Sequence, residues 1–172
     1  MIFVPMMMKN LIQSLIIKEL NEYDTLTGLK NRNTYEAEYK EHSEDERRLL
    51  VIYIDANGLH ELNNTKGHAA GDEMLKSIAS AVREAFGREY SYRTGGDEFV
   101  VIYPGAELLW AKSQVENIKS RVEDAGYSVS VGYAKSEKSG EPLDEVIKRA
   151  EAEMYAAKAL YYKINGNDRR KR

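Results

Sequence analysis

Residues 92–104, YRTGGDEFVVIYP, set two adjacent glycines and two acids between runs that read as strands. Glycine tolerates the positive φ that tight hairpin loops need, so Gly95 and Gly96 predict a turn between YSYRT (90–94) and EFVVIYP (98–104). Asp97 and Glu98 are not needed for that turn. They are either its polar residues or the ligands of something bound there, and residues elsewhere in the chain have to decide between the two.

Working outward, LLVIYID (49–55) is a continuous apolar run of strand length that ends in an acid, the pattern of a strand buried on both faces. If this strand lies beside the hairpin, the Asp55 and Asp97 carboxylates converge. Neighbouring carboxylates raise each other's pKa unless a cation lies between them. Hard oxygen ligands suit Mg²⁺, which is commonly held by one or two carboxylates plus nucleotide phosphates. Around these strands the period changes to that of helices. NRNTYEAEYKEHSEDERR (31–48) reads as a polar helix or a helix plus loop, and 71–87 as a helix with Leu75, Ile78, Val82 and Phe86 on one stripe. Leu108, Ala111, Val115, Ile118 and Val122 mark another helix, and Leu143, Ile147, Ala150, Met154, Ala157 and Tyr161 a last one. YSVSVGYA (127–134) alternates with period two, which predicts a strand with one covered and one more polar face. The order α, β, α, β, β, α, β, α predicts an α/β (α+β) fold, a mostly antiparallel central sheet layered with helices.

At 172 residues the chain has room for one well-buried domain and an appendage. A net charge of −3 gives no electrostatic case for nucleic acid or an anionic membrane, so no nucleic-acid partner is expected. The absence of cysteine excludes disulfides and thiolate metal sites and fits a reducing compartment, with the cytoplasm as the expected location. MIFVPMMMKN at the start is broken by Lys9 and lacks a basic n-region, so it reads as neither a spanning helix nor a signal peptide. A sensor or membrane segment ahead of it stays open. Leu11–Tyr23 reads as an amphipathic helix with apolar residues at 12, 15, 16 and 20. The expected division is a linker helix over 1–20, a globular domain over 21–165 and a basic tail over 166–172.

The segment ANGLHELNNTKGHAAGD (56–72) follows Asp55 directly. Ala56, Asn57, Gly58 and Leu59 turn from strand to helix, where free backbone N–H groups can cradle phosphate oxygens, as many such turns do without binding anything. Asn63 and Asp72 carry the donor, acceptor and charge that read a guanine edge, since a carboxylate accepts from N1 and N2 together. Their ordinary alternatives are helix capping, with Asp72 as an N-cap and Asn63 at a helix end, and for His68 a satisfied turn histidine.

Taken together, these residues resemble one family. DTLTGLKNR (24–32) matches D-x-L-T-G-L-x-N-R, Asn63 follows Asp55 by eight positions, GHAAGD ends at Asp72, and the signature loop is intact as Gly95–Phe99. The chain is similar to GGDEF domains, the catalytic domains of diguanylate cyclases, over roughly residues 21–163. The resemblance implies a palm-like fold similar to adenylyl cyclases and polymerase palms. It also implies condensation of two GTP into cyclic di-GMP, with Mg²⁺ as cofactor and at least a transient homodimer. It assigns Asp55, the Ala56 carbonyl and Asp97 to the metal, and Asn63 and Asp72 to guanine. His68, Asn57, Gly58, Leu59, His60 and Lys158 go to the substrate, with Asp97 and Glu98 beside the ribose 3′-OH. The departures are Asn57, Leu59 and His60 where the family has D-x-D-x-F-K, His60 replacing its lysine, and Tyr162 where a basic residue is expected, with Lys163 adjacent. The inhibitory R-x-x-D site is replaced by Phe86-Gly87-Arg88-Glu89. Two readings therefore stand: an active cyclase, or a module that binds GTP with weak or no turnover and signals through protein interaction.

Overall fold

The computed structural model describes residues 3–44, 47–105 and 107–165, so the expected basic tail lies outside the described residues. Four strands, β1 (Leu49–Ala56), β2 (Ser91–Arg93), β3 (Glu98–Pro104) and β4 (Val129–Lys135), form one sheet in the order β2-β3-β1-β4. Each neighbouring pair is antiparallel. β1 lies at the centre, and its register sets Asp55 opposite Glu98 on β3 and opposite Ser130 on β4.

Because side chains alternate across a strand, β1 feeds two cores. Leu50, Ile52, Ile54 and Ala56 pack with α4 (His68–Phe86) and α5 (Leu108–Asp124) on one face. Leu49 and Val51 pack with α6 (Leu143–Ile164) on the other, where α2 (Arg32–Ser43) also lies. Asp55 is the acid at the end of this second row. The expected palm-like layering of helices on an antiparallel sheet is the observed architecture, with one short helix, α3 (Leu59–Lys66), added between β1 and α4.

Several local readings change. Gly67, at φ 84°, separates α3 from α4, which begins at His68 rather than at 71, so Asp72 sits inside α4 and is not its N-cap. Leu108 opens α5 but is exposed, while Ala111, Val115, Ile118 and Val122 form the buried stripe. On β4 the face that read as polar is covered: Ser130, Gly132 and Ala134 are small rather than solvated, and α6 lies on them. A Cβ on Gly132 would stand 2.1 Å from the Ala150 carbonyl oxygen and 2.2 Å from the Met154 nitrogen. α6 therefore meets β4 backbone to backbone, and Glu153 accepts the outward Tyr133 N–H of this edge strand at 2.6 Å.

The first helix, α1 (Phe3–Glu22), begins eight residues before the expected Leu11, and its apolar residues do not make one stripe. Leu11, Ile12, Leu15, Ile16, Ile17 and Leu20 are all more than half or about half exposed, and they surround the helix. Its hold on the domain is polar and lies at its last turns. Arg88 stacks its guanidinium 3.4 Å from the Tyr23 ring centroid, pairs with Glu19 and donates to the Gly28 carbonyl at 2.6 Å. Among the described residues no helix is long and apolar enough to cross a membrane.

Candidate active site

The signature loop, Thr94–Asp97, closes β2 onto β3, with the Thr94 N–H donating to the Glu98 carbonyl at 3.0 Å. Neither Gly95 nor Gly96 has a positive φ, which corrects the hairpin argument for these glycines. A Cβ at 95 would lie 2.8 Å from Glu98 Oε2, so a side chain there would push the Glu98 carboxylate aside. Gly96 faces open surroundings, with nothing within 4 Å of a Cβ built on it. Arg93 braces the loop from below, donating to the Gly96 carbonyl at 2.7 Å and to Asp24 Oδ1 at 3.0 Å. Asp24 also accepts from the Thr27 hydroxyl at 2.6 Å and the Thr27 N–H at 2.9 Å. Although burial pushes its carboxyl up, hydrogen bonds from Thr27 and Arg93 win and hold it below the ordinary aspartate value. The DTLTG stretch is thus a strut under the loop, a role its sequence did not announce.

The sheet sets Asp55 opposite Glu98, with Asp97 the residue before it, and among the described residues no group of three or more His, Asp or Glu side chains is arranged to hold a metal ion. Asp55 and Glu98 are cross-strand partners, and the Ala56 N–H donates to the Asp97 carbonyl at 2.9 Å, so the loop acid follows directly on the pair. Asp55 is 2% exposed. Its Oδ2 accepts from Lys158 of α6 at 2.7 Å, and its Oδ1 is buried with no partner. Burial, opposed by Lys158 and reinforced by Asp97 and Glu98, pushes the Asp55 carboxyl up to about 6. Burial and the adjacent Asp97 likewise raise Glu98, against the pull of Lys158 and Arg32. Burial lowers the Lys158 ammonium, but its bond and attraction to Asp55 outweigh that and raise it.

The remaining expected residues fall on the α3–α4 hairpin and the turn before it. Gly58 caps α3 at φ 76° and, as glycine, brings no side-chain cap of its own, with Glu61 in the first turn. The Asn57 side chain is turned inward, donating to Ser128 Oγ at 3.1 Å and accepting from Ser130 Oγ at 2.8 Å. Leu59 is half-buried against the core. His60 is exposed, its ring 3.0 Å from Asn64 Nδ2 along the same helix. His68 and Asp72 are exposed on α4. Asn63 Oδ1 is buried and unpartnered, and a Cβ on Gly71 would lie 2.0 Å from it. Gly71, the residue before Asp72, therefore seats Asn63 and keeps the two polar residues on one helix–helix contact. Among the described residues, the buried side-chain polar atoms without partners are Asp55 Oδ1, Asn63 Oδ1, Arg93 Nε and Thr94 Oγ1. Two of them belong to the base of the signature loop, and a third to the acid opposite Glu98.

A family model described as the diguanylate cyclase GGDEF domain matches residues 21–161. The diguanylate cyclase DgcS of Shewanella oneidensis is 29% identical over 168 residues, covering 90% of this chain and 56% of that protein. The cyclic di-GMP phosphodiesterase PdeB of the same organism is 31% identical over 147 residues, covering 80% of this chain and 17% of that one. The chain thus spans less than two thirds of these relatives. The crystal structure of the coiled coil and GGDEF domain of DgcB from Caulobacter crescentus, in complex with c-di-GMP, superposes with a TM-score of 0.78 at 25% identity. That match covers 91% of each chain.

Proposed function

The chain belongs to the GGDEF domain family, and from that membership and its paired acids we propose that it is a diguanylate cyclase acting on GTP. The observation that carries the reading is Asp55 at the end of β1, opposite Glu98 and beside the loop that bears Asp97, with its Oδ1 buried and unpartnered. Burying these acids beside one another is costly, and a divalent cation at Asp55 Oδ1 would offset that cost. The donor set fits Mg²⁺: hard oxygens from Asp55, Asp97 and the Ala56 carbonyl, with room above Gly96 for phosphate oxygens. When bound, the metal would neutralise phosphate charge and lower the pKa of a nearby hydroxyl.

The chain's own residues take the other roles. Asn63 and Asp72 hold the guanine edge, and the N–H groups at Gly58 and Leu59 face the phosphates, with Asn57 locking that turn from inside. His60 and His68 line the same approach, and Lys158 supplies positive charge from α6. Glu98, held raised by burial and Asp97, is placed to take a proton from the ribose 3′-OH. The 3′-oxygen then bonds to the α-phosphorus of a second GTP, the bond to the β-phosphate oxygen breaks, and pyrophosphate leaves. Two such steps close the ring and release two pyrophosphates. Each domain holds one GTP, so the reaction needs two domains face to face.

The test is incubation of the protein with GTP and Mg²⁺ and identification of the product by mass. Cyclic di-GMP is expected from the natural protein and none from Asp97→Ala, whose half-exposed loop position leaves the fold intact. GTP binding without product would instead support the module reading, to which the replaced basic residues at His60 and Tyr162 lend weight.

A further inference from the structure

Lys158 deepens this reading, and the inference rests on the site being a metal–GTP centre. Its ammonium sits 2.7 Å from Asp55 Oδ2, a bond that links residues 103 apart in sequence. The Asp55 side chain is 3% exposed and the Lys158 side chain 28%. The acid is therefore fixed, while the lysine keeps a route to solvent along a flexible stem. A carboxylate this buried needs a positive partner, and Lys158 is that partner. We propose that Lys158 is a resident counter-ion that a divalent cation has to displace from Asp55, so that metal and nucleotide bind cooperatively and the empty protein disfavours metal alone.

The physical argument is one of charge exchange. A divalent ion drawn to the free Asp55 Oδ1 meets an ammonium on the other oxygen of the same carboxylate, and the two repel at short range. With no nucleotide present, the displaced ammonium gains only water. With nucleotide present, the phosphates give it a new anionic partner, so the cost of leaving Asp55 is offset. Lys158 thereby couples two ligands through one side chain with two alternative partners.

Mn²⁺ binding measured by calorimetry at about pH 8, where an acid with this environment is ionised, tests the proposal without any turnover. It is done with and without a GTP analogue carrying a methylene between the α- and β-phosphates. Lys158→Met and Lys158→Gln should bind Mn²⁺ alone about tenfold more tightly than the natural protein, and the analogue with Mn²⁺ about tenfold more weakly. Lys158→Arg should keep the natural pattern. This opposite movement of two affinities is not what a lost structural contact produces, which would weaken both. Unchanged or weaker Mn²⁺ binding in the Met and Gln variants overturns the counter-ion role. Absence of any Mn²⁺ binding that Asp55→Asn removes overturns the metal reading itself, and the proposal with it.

Discussion

Replacing Asp55 by asparagine removes a charge from the most buried carboxylate of the site while keeping its shape. Burial raises this carboxyl in the folded protein to about 6, from the ordinary 3.8 that the unfolded chain has. A group whose folded pKa is raised stabilises the fold fully below the unfolded value and loses that contribution as pH rises through the folded one. Across this window, between about 4 and 6, the native state binds one proton more than the unfolded state, and stability falls by about 1.4 kcal/mol per pH unit, about 3 kcal/mol in all. Asparagine does not titrate. The difference in unfolding free energy between Asp55→Asn and the natural protein should therefore move by about 3 kcal/mol in favour of the variant between pH 4 and pH 8. Urea unfolding followed by circular dichroism at a series of pH values measures both proteins, and comparing them removes the titration of groups they share. Added Mg²⁺ together with a non-hydrolysable GTP analogue should then raise the midpoint of the natural protein at about pH 8 more than that of the variant. A gap that is the same at both pH values, or that moves toward the natural protein, would refute the claim that the fold holds Asp55 at a cost.

Three further outcomes follow from the geometry. Gly71→Ala puts a Cβ where Asn63 Oδ1 now lies, 2.0 Å away, so steady-state kinetics should show KM for GTP rising about tenfold with kcat less affected, and an unchanged KM would detach Asn63 from the base. Added cyclic di-GMP should leave the initial rate unchanged, because Phe86 is core at 3% exposure and Arg88 is committed to α1; inhibition non-competitive with GTP would contradict this. His60→Lys should raise turnover several-fold by placing a permanent charge at the start of α3, and equal rates would mean that this position does not meet phosphate.

Much of this site was legible because its residues lie in runs that report on themselves. The apolar run from Leu49 to Ile54 reads as a doubly buried strand and is one, and its terminal acid falls beside the hairpin as expected. The stripes of α4, α5 and α6 likewise point to their cores. Periodicity tells which face is buried but not what covers it. Hence Ser130, Gly132 and Ala134 read as a polar face when their smallness was the message. The same limit hid the Lys158–Asp55 bond, since it spans the length of the domain and a lysine on a helix most often faces water. Gly95 and Gly96 were misjudged for another reason: adjacent glycines suggest a positive-φ turn, and here neither takes one. The strut made by Asp24 and Arg93 needed both strand pairing and the turn to be in place before it was visible.

The bare meeting of β4 and α6 at Gly132 fixes a machining tolerance for the chemistry. Where two elements pack through interdigitating side chains, a substitution can be absorbed by a rotamer change, and the helix settles a little nearer or farther. Here the stop is one main chain against another, which no rotamer can adjust. Lys158 lies one turn beyond Met154, whose nitrogen is part of that stop. The reach of its ammonium is thus measured from a datum in the sheet that also carries Asp55. Drift elsewhere in the core can alter stability without altering that reach, whereas any side chain larger than hydrogen at position 132 would recalibrate it.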